Sequence, residues 1–366
     1  MHFSRACLGP VCYELGQEIV ANAEIEQELD SAMRQLRIPK GHIGELTGIL
    51  ERRFWRQGSR LSTDAARSAR ELLKKWDISP SKIDLLTYTS VCREYFEPAT
   101  AVLVAKELGL SSHAKLYDVS NACLGFLDGI LQAAAQVELG WIKLALVVAC
   151  ESSREILQIA IQQLKQQPSF PLFAKTIATL TGGSGAASCL VGDRATLQSL
   201  NISPSPLLTA VWQNNHAHAE LCRWGLASPH ASLAADAQIS PLNQRREFME
   251  TDGVEVLKHG MTLGKETWQV FKDVYPWRGG KPQKIITHQV GGAHRQQMLN
   301  AFGLSAEDDF PTYAKLGNMG TASIPISFAM AAQAQHFVPG DEIGILGIGS
   351  GLTTLMLGVE WQPLSQ

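Results

Sequence analysis

A Gly-Ser-Gly turn that runs into an apolar strand occurs twice in this chain. Gly183-Ser184-Gly185-Ala186-Ala187-Ser188-Cys189-Leu190-Val191 is echoed by Gly349-Ser350-Gly351-Leu352-Thr353-Thr354-Leu355-Met356-Leu357. The two copies lie a little under half of the 366 residues apart, and each closes one half of the chain. Such a period suggests duplication of one α/β unit. Gly-x-Gly before a strand also recurs by chance, so the echo needs support from the segments around it.

That support is an alternation of short and long apolar segments. Ile83–Thr89, Leu144–Cys150, Lys284–Thr287 and Ile343–Leu346 read as buried strands. Between them lie helical windows. Thr63-Asp64-Ala65-Ala66 opens one, with an acid in its first turn. Leu124–Leu139 is another, and its polar residues Asp128, Gln132 and Gln136 form one narrow stripe, as on a mostly buried helix. Strand–helix alternation throughout predicts an α/β fold. Length alone suggests two units at roughly 150 residues each. We expect halves spanning 1–200 and 201–366, joined by the Ala-, Ser-, His- and Asn-rich stretch Pro204–Pro241. Ile156–Leu180, broken by Pro168 and Pro171, reads as partly helical, lining a pocket or covering an interface.

A hydrophobic fraction of 45% and a charged fraction of 18% exclude a disordered chain. The formal net charge of −3 gives no support for nucleic-acid binding. The longest fully apolar run, Leu144–Cys150, falls far short of a membrane span. No signal peptide is expected at the start. Seven cysteines are odd in number and scattered, without a C-x-x-C pair. This favours neither disulfides nor a metal site, and points to a reducing cytoplasm.

The sharpest chemical feature is Asp118-Val119-Ser120-Asn121-Ala122-Cys123-Leu124-Gly125-Phe126. A strand runs into small residues, and a buried helix is expected to start at Cys123. A thiol at that point meets unpaired N–H groups and the positive end of the dipole, which depress its pKa. A single cysteine is more often a small buried hydrophobe, but only Cys123 has this placement. His288 follows a strand on the turn Thr287-His288-Gln289-Val290-Gly291, and Asn318 lies between glycines in Gly317-Asn318-Met319-Gly320. Strand-end histidines and Gly-Asn turns are often only structural. A Cys/His/Asn set serves two chemistries: thiol hydrolysis with His as base, or acyl transfer with His and Asn as donors to a thioester enolate.

With those residues the chain resembles thiolase-fold condensing enzymes of the 3-ketoacyl synthase III branch. The resemblance runs nearly end to end, through Thr47–Arg53, Asp64–Ala66, the Cys123 segment, His288-Gln289, Gly317-Asn318, Ala322–Pro325 and Gly347–Gly351. It implies a duplicated α/β fold in five αβαβα layers and a homodimer. Cys123 would be the acyl acceptor, His288 and Asn318 one oxyanion hole, and the backbone N–H groups of Cys123 and Ser350 a second. Within the branch, Glu97 stands before Pro98, where malonyl-using synthases usually carry an aromatic that enters the partner's active site. In this the chain is similar to the OleA-type acyl-CoA condensing enzymes of olefin biosynthesis. It shares their Glu-Pro-x-Thr-Ala run, Asn-Ala-Cys-Leu, and His-Gln-Val with a second His, here His294.

That resemblance implies a non-decarboxylative Claisen condensation of two fatty acyl-CoA or acyl-carrier-protein thioesters, with no metal or redox cofactor. A base is then needed, because ordinary acyl thioesters lack the carboxylate whose loss generates a carbanion. Glu97 of the partner subunit would supply it. Read without the resemblance, Glu97 is instead an acid complementing a helix dipole. Departures are His42 at a position where malonyl-using relatives pack a Trp on coenzyme A, and Val290-Gly291 in place of an Asn. Arg223, Arg246, Lys258 and Arg295 are candidate phosphate contacts. The competing readings are a malonyl-using synthase with a structural Glu97, an idle acyl-binding subunit, and a cysteine hydrolase.

Overall fold

The computed structural model describes residues 1–227 and 246–363. In chain order its first strands are β1 (Ala6–Leu15), β2 (Glu18–Ala21), β3 (Glu51–Phe54), β4 (Leu85–Tyr88) and β5 (Lys115–Asp118). Next come β6 (Leu144–Glu151), β7 (Gly185–Asp193), β8 (Ser205–Asn214), β9 (Cys222–Ala227) and β10 (Arg246–Thr251). The last are β11 (Lys284–Thr287), β12 (Glu342–Gly349) and β13 (Thr353–Glu360). Nine of them form one sheet in the order β11-β12-β13-β8-β1-β7-β6-β4-β5, while β2–β3 and β9–β10 form two-stranded ribbons.

The sheet is arranged about the seam between β1 and β8, where Cys7 pairs with Pro206 and Leu8 with Ser205. On one side β1, β7 and β6 are antiparallel neighbours, and β4 joins β6 in parallel. On the other side β8, β13 and β12 are antiparallel neighbours, and β11 joins β12 in parallel. The two Gly-Ser-Gly turns occupy matching places, one leading into β7 and the other into β13.

Alternate residues of a strand face opposite sides, and here each side is a separate core. On β6, Ala145, Val147 and Ala149 enter the central core, and Leu144, Leu146, Val148 and Cys150 an outer one. On β13, Leu355, Leu357 and Val359 enter the same central core, and Met356 the other outer one. The helices Gly125–Glu138 and Ser323–Gln333 fill the centre and touch strands of both sides. Leu61–Lys75 and Thr100–Leu108 cover one outer face, Gly253–Asp273 and Gly292–Phe302 the other. Helix, sheet, helix, sheet, helix is the five-layered order expected for the fold class.

One expectation fails. Pro204–Pro241 is not simply a joining segment, because Ser205–Asn214 is the central strand β8. Leu207 and Ala210 enter one core and Leu208 and Val211 another, so both faces are buried and no period-2 polarity marks the strand. The rest of the stretch, from 228, lies outside the described residues. Pro168 does interrupt the next region, ending one helix (Arg154–Gln166) before another (Phe170–Thr176), which carries Pro171 in its first turn.

Candidate active site

The approach to Cys123 is fixed from both ends. Before it, the Asp118 carboxylate accepts the N–H groups of Thr100 and Ala101, both at 2.9 Å, and so ties β5 to the start of the neighbouring helix. After it, a methyl group added at Gly125 would lie 2.1 Å from the Thr89 carbonyl oxygen. Only glycine lets the helix press onto the end of β4 there. Between these anchors Ala122 adopts φ 44°, an unfavourable value for a residue with a side chain.

The helix starts at Gly125, two residues later than the sequence suggested. The N–H groups of Leu124 and Gly125 are already bound by the carbonyls of Asn121 and Ala122. They are therefore unavailable to a thiolate. Burial pushes the Cys123 thiol up to about 12, with Cys222 and Glu151 adding to the rise. The N–H groups of Cys123 itself and of Ser350 are directed at the sulfur and pull the other way. The expected depression of this pKa is thus absent in the free site. The local device is a pair of converging N–H donors rather than a helix terminus.

His288 and Asn318 sit at the same end of the sheets. The His288 N–H donates to Leu346 O of β12 at 2.9 Å. Three residues further along β12, Gly349 lies against Cys123 and Leu124. The His288 side chain is buried, and neither ring nitrogen has a hydrogen-bond partner. Burial, reinforced by His294, lowers its pKa to about 3, so the ring is neutral at pH 7. His294 is lowered by burial to about 4, and its Nδ1 is also unpartnered. An orphaned buried imidazole costs stability, and its free N–H is a donor awaiting an acceptor.

Asn318 is held by its backbone: its N–H donates to Thr181 O (2.9 Å), and its carbonyl accepts from Gly183 N–H (2.8 Å). Its side-chain Oδ1 accepts the Gly320 N–H at 3.0 Å. With the oxygen engaged, Nδ2 is the group left to donate. The turn continues into Thr321, whose methyl packs beside Gly125.

Two buried polar residues next to the site were not singled out in the sequence. Gln289 donates to Phe310 O (2.8 Å) and accepts from Thr312 and Tyr313 N–H groups (2.7 and 3.2 Å), which locks the end of β11 behind His288. Glu151, the last residue of β6, is buried and bonded to Val91, Cys92 and Thr321. A polar residue ending an otherwise apolar strand was the available signal for Glu151.

Glu97 is set apart from this group. It is exposed, and among the described residues its carboxylate makes no hydrogen bond or ion pair. Its neighbour Phe96 is 85% exposed and Tyr95 51%. The helix that follows starts at Thr100 and is capped by Asp118, so Glu97 does not complement its dipole.

The basic candidates divide. Arg295 is buried and donates to Asp309 at 2.6 Å and to Ala306 O. It is committed inside the fold and not available to a phosphate. Arg223 contacts Glu220 and Glu250, and Lys258 contacts Glu255. Arg246 begins β10, and its side chain lies outside the described residues. Among the described residues no group of three or more metal-ligating side chains occurs, and no helix is long and apolar enough to cross a membrane.

Comparison with known proteins matches this arrangement. Residues 279–361, which hold His288 and Asn318, match the family 3-oxoacyl-acyl-carrier-protein (ACP) synthase III C terminal. An acyl-CoA:acyl-CoA alkyltransferase of Shewanella oneidensis is 42% identical over 361 residues, covering 99% of this chain and 100% of that one. A protein of the same name from Xanthomonas campestris is 30% identical over 99% of this chain and 100% of its own. A crystal structure of Xanthomonas campestris OleA superposes with a TM-score of 0.88 at 29% identity, over 99% of this chain and 98% of that chain. The chain therefore belongs to the acyl-CoA:acyl-CoA alkyltransferase family of thiolase-fold acyltransferases.

Proposed function

We propose that this protein joins two fatty acyl thioesters head to head in a non-decarboxylative Claisen condensation, as a homodimer of chains each built from the halves 1–200 and 201–366. In the first step the Cys123 sulfur attacks an acyl-CoA carbonyl. The bond to the coenzyme A sulfur breaks, and coenzyme A leaves as a thiol with the Cys123 proton. The N–H groups of Cys123 and Ser350 stabilise the oxyanion. The high pKa of the free thiol favours moving its proton with the attack rather than before it.

A second acyl thioester then binds with its carbonyl oxygen between the His288 ring and Asn318 Nδ2. The partner's Glu97 removes the α-proton, and the enolate left behind is held by those two donors. Its carbon attacks the Cys123 thioester, a C–C bond forms, and the Cys123 thiolate leaves and regains a proton. Hydrolysis of the product thioester gives a 2-alkyl-3-keto acid. Acyl-carrier-protein thioesters fit the same steps as acyl-CoA. Every step uses this chain's own groups and needs no metal or redox cofactor. Arg223, Arg246 and Lys258 are the cations we assign to coenzyme A phosphates. Seven free cysteines suit a reducing cytoplasm.

The observation that carries the reading is the orphaned His288 ring, together with an Asn318 whose side-chain oxygen is already engaged. The neutral ring has one N–H to give and Asn318 Nδ2 is a second donor, a pair that suits the oxygen of an enolate. The test is product analysis with purified protein and acyl-CoA alone. A condensed 2-alkyl-3-keto product supports the reading. Product only on addition of malonyl thioester, or free fatty acid only, contradicts it.

A further inference from the structure

We propose that Glu151 is a positioning residue that sets the Asn318 turn and the root of the Glu97 loop together. The inference rests on the function just proposed and extends it to a residue outside the reacting group.

Glu151 is 2% exposed. Its Oε1 accepts the Thr321 hydroxyl at 2.7 Å, the Thr321 N–H at 3.3 Å and the Val91 N–H at 3.0 Å. Its Oε2 accepts the Cys92 N–H at 3.2 Å. Among the described residues it has no ion-pair partner, so hydrogen-bond donors alone hold the carboxylate. Those donors come from two separate segments, which the one carboxylate ties together. Thr321 follows Gly320, where an added methyl group would lie 3.0 Å from Glu151 Oε1 and whose N–H holds Asn318 Oδ1. Val91 and Cys92 open the segment that runs to Glu97. Glu94 is anchored by Arg60 and the Ser62 N–H, and among the described residues Tyr95, Phe96 and Glu97 make no hydrogen bond beyond it.

A shift of Glu151 therefore moves an oxyanion donor in its own site and, through the loop, the base delivered to the partner's site. Acylation of Cys123 uses the N–H groups of Cys123 and Ser350, and since the Glu151 charge raises the Cys123 pKa, its loss should not slow that step.

The experiment separates the two half-reactions in Glu151→Gln. Acyl transfer is read as the mass of the Cys123 adduct against time, and condensation as product formed per acylated site. Acylation should be no slower than in wild type, while kcat for condensation falls at least about tenfold with little change in KM. Thr321→Val, which removes one donor, should shift both readouts in the same sense by less, and it carries the test if Glu151→Gln does not fold. In a mixed dimer of one wild-type chain and one chain carrying Cys123→Ala and Glu151→Gln, the live site draws its Glu97 from the altered chain. Its condensation should be at least about threefold slower than in the same dimer with Cys123→Ala alone. Proportional loss of acylation and condensation, or no loss in the mixed dimer, overturns the proposal. Wild-type protein that makes no product from acyl-CoA counts against the function itself; wild-type product without the split counts against Glu151 alone.

Discussion

The two regions that hold the reacting groups are built in opposite ways. Around Cys123, His288 and Asn318 the backbone is held by hydrogen bonds, and the unpaired ring nitrogens of His288 sit where we propose that a thioester enters. Around Glu97 the chain presents a bare carboxylate and two exposed aromatics, with no contact to explain them. An enclosed site tolerates orphaned donors because the fold around it holds them in place. An exposed loop of this composition is left unexplained by the single chain. The contrast is what we expect if, as proposed, the site is divided between two subunits.

The largest expected effect comes from breaking the enclosed side. Cys123→Ala should abolish the acyl adduct and lower condensation by about 10³-fold or more, with product and intact mass measured together. Glu97→Ala comes next and sharpens the contrast. Condensation should fall by about 10²–10⁴-fold, the range for a general base, while the Cys123 adduct still forms. The melting temperature should be unchanged, because Glu97 is exposed and makes no hydrogen bond or ion pair among the described residues. His288→Ala should lower condensation by about 10²–10³-fold, as for one oxyanion donor, again with acylation retained.

The same histidine gives a smaller, thermodynamic prediction. Its pKa is about 3 in the folded chain, and that of His294 about 4, both below the unfolded value of 6.5. Below pH 6.5 the unfolded chain binds protons that the folded one refuses, so stability is lost as pH falls towards 4 and then 3. Each group contributes up to about 1.4 kcal/mol per pH unit in that window. Urea titrations at pH 7 and pH 5 should show the loss for wild type and a smaller one for His288→Ala. Lys258→Ala, at an exposed cation paired with Glu255, should change KM for acyl-CoA by no more than about threefold, since screened surface charges contribute little.

Much of the enclosed side was legible in the sequence because local rules govern it. A strand, a run of small residues and a buried helix marked Cys123, and the repeated glycine turn pointed to duplication before any strand order was known. The helix start was misplaced because Asn121 and Ala122 carbonyls bind the next two N–H groups, and a sequence does not display that turn. The Cys123 pKa was misjudged for the same reason, with burial outweighing the two donors left to it. Arg295 looked like a surface cation because its partner Asp309 lies fourteen residues away on another segment. Strand β8 was missed since both of its faces are buried. The role proposed for Glu97 rests on resemblance, since its own chain gives the carboxylate no hydrogen bond or ion pair among the described residues.

The most direct measurement uses mixed dimers of Cys123→Ala and Glu97→Ala chains. Each variant alone should be inactive in condensation. In the mixed dimer, the Glu97→Ala chain keeps its cysteine and receives a glutamate from its partner, so one complete site is restored. The account predicts recovered 2-alkyl-3-keto product, approaching half the wild-type rate per mixed dimer. A mixed dimer as inactive as its parents would show that Glu97 serves its own chain, or no site at all, and would contradict the account.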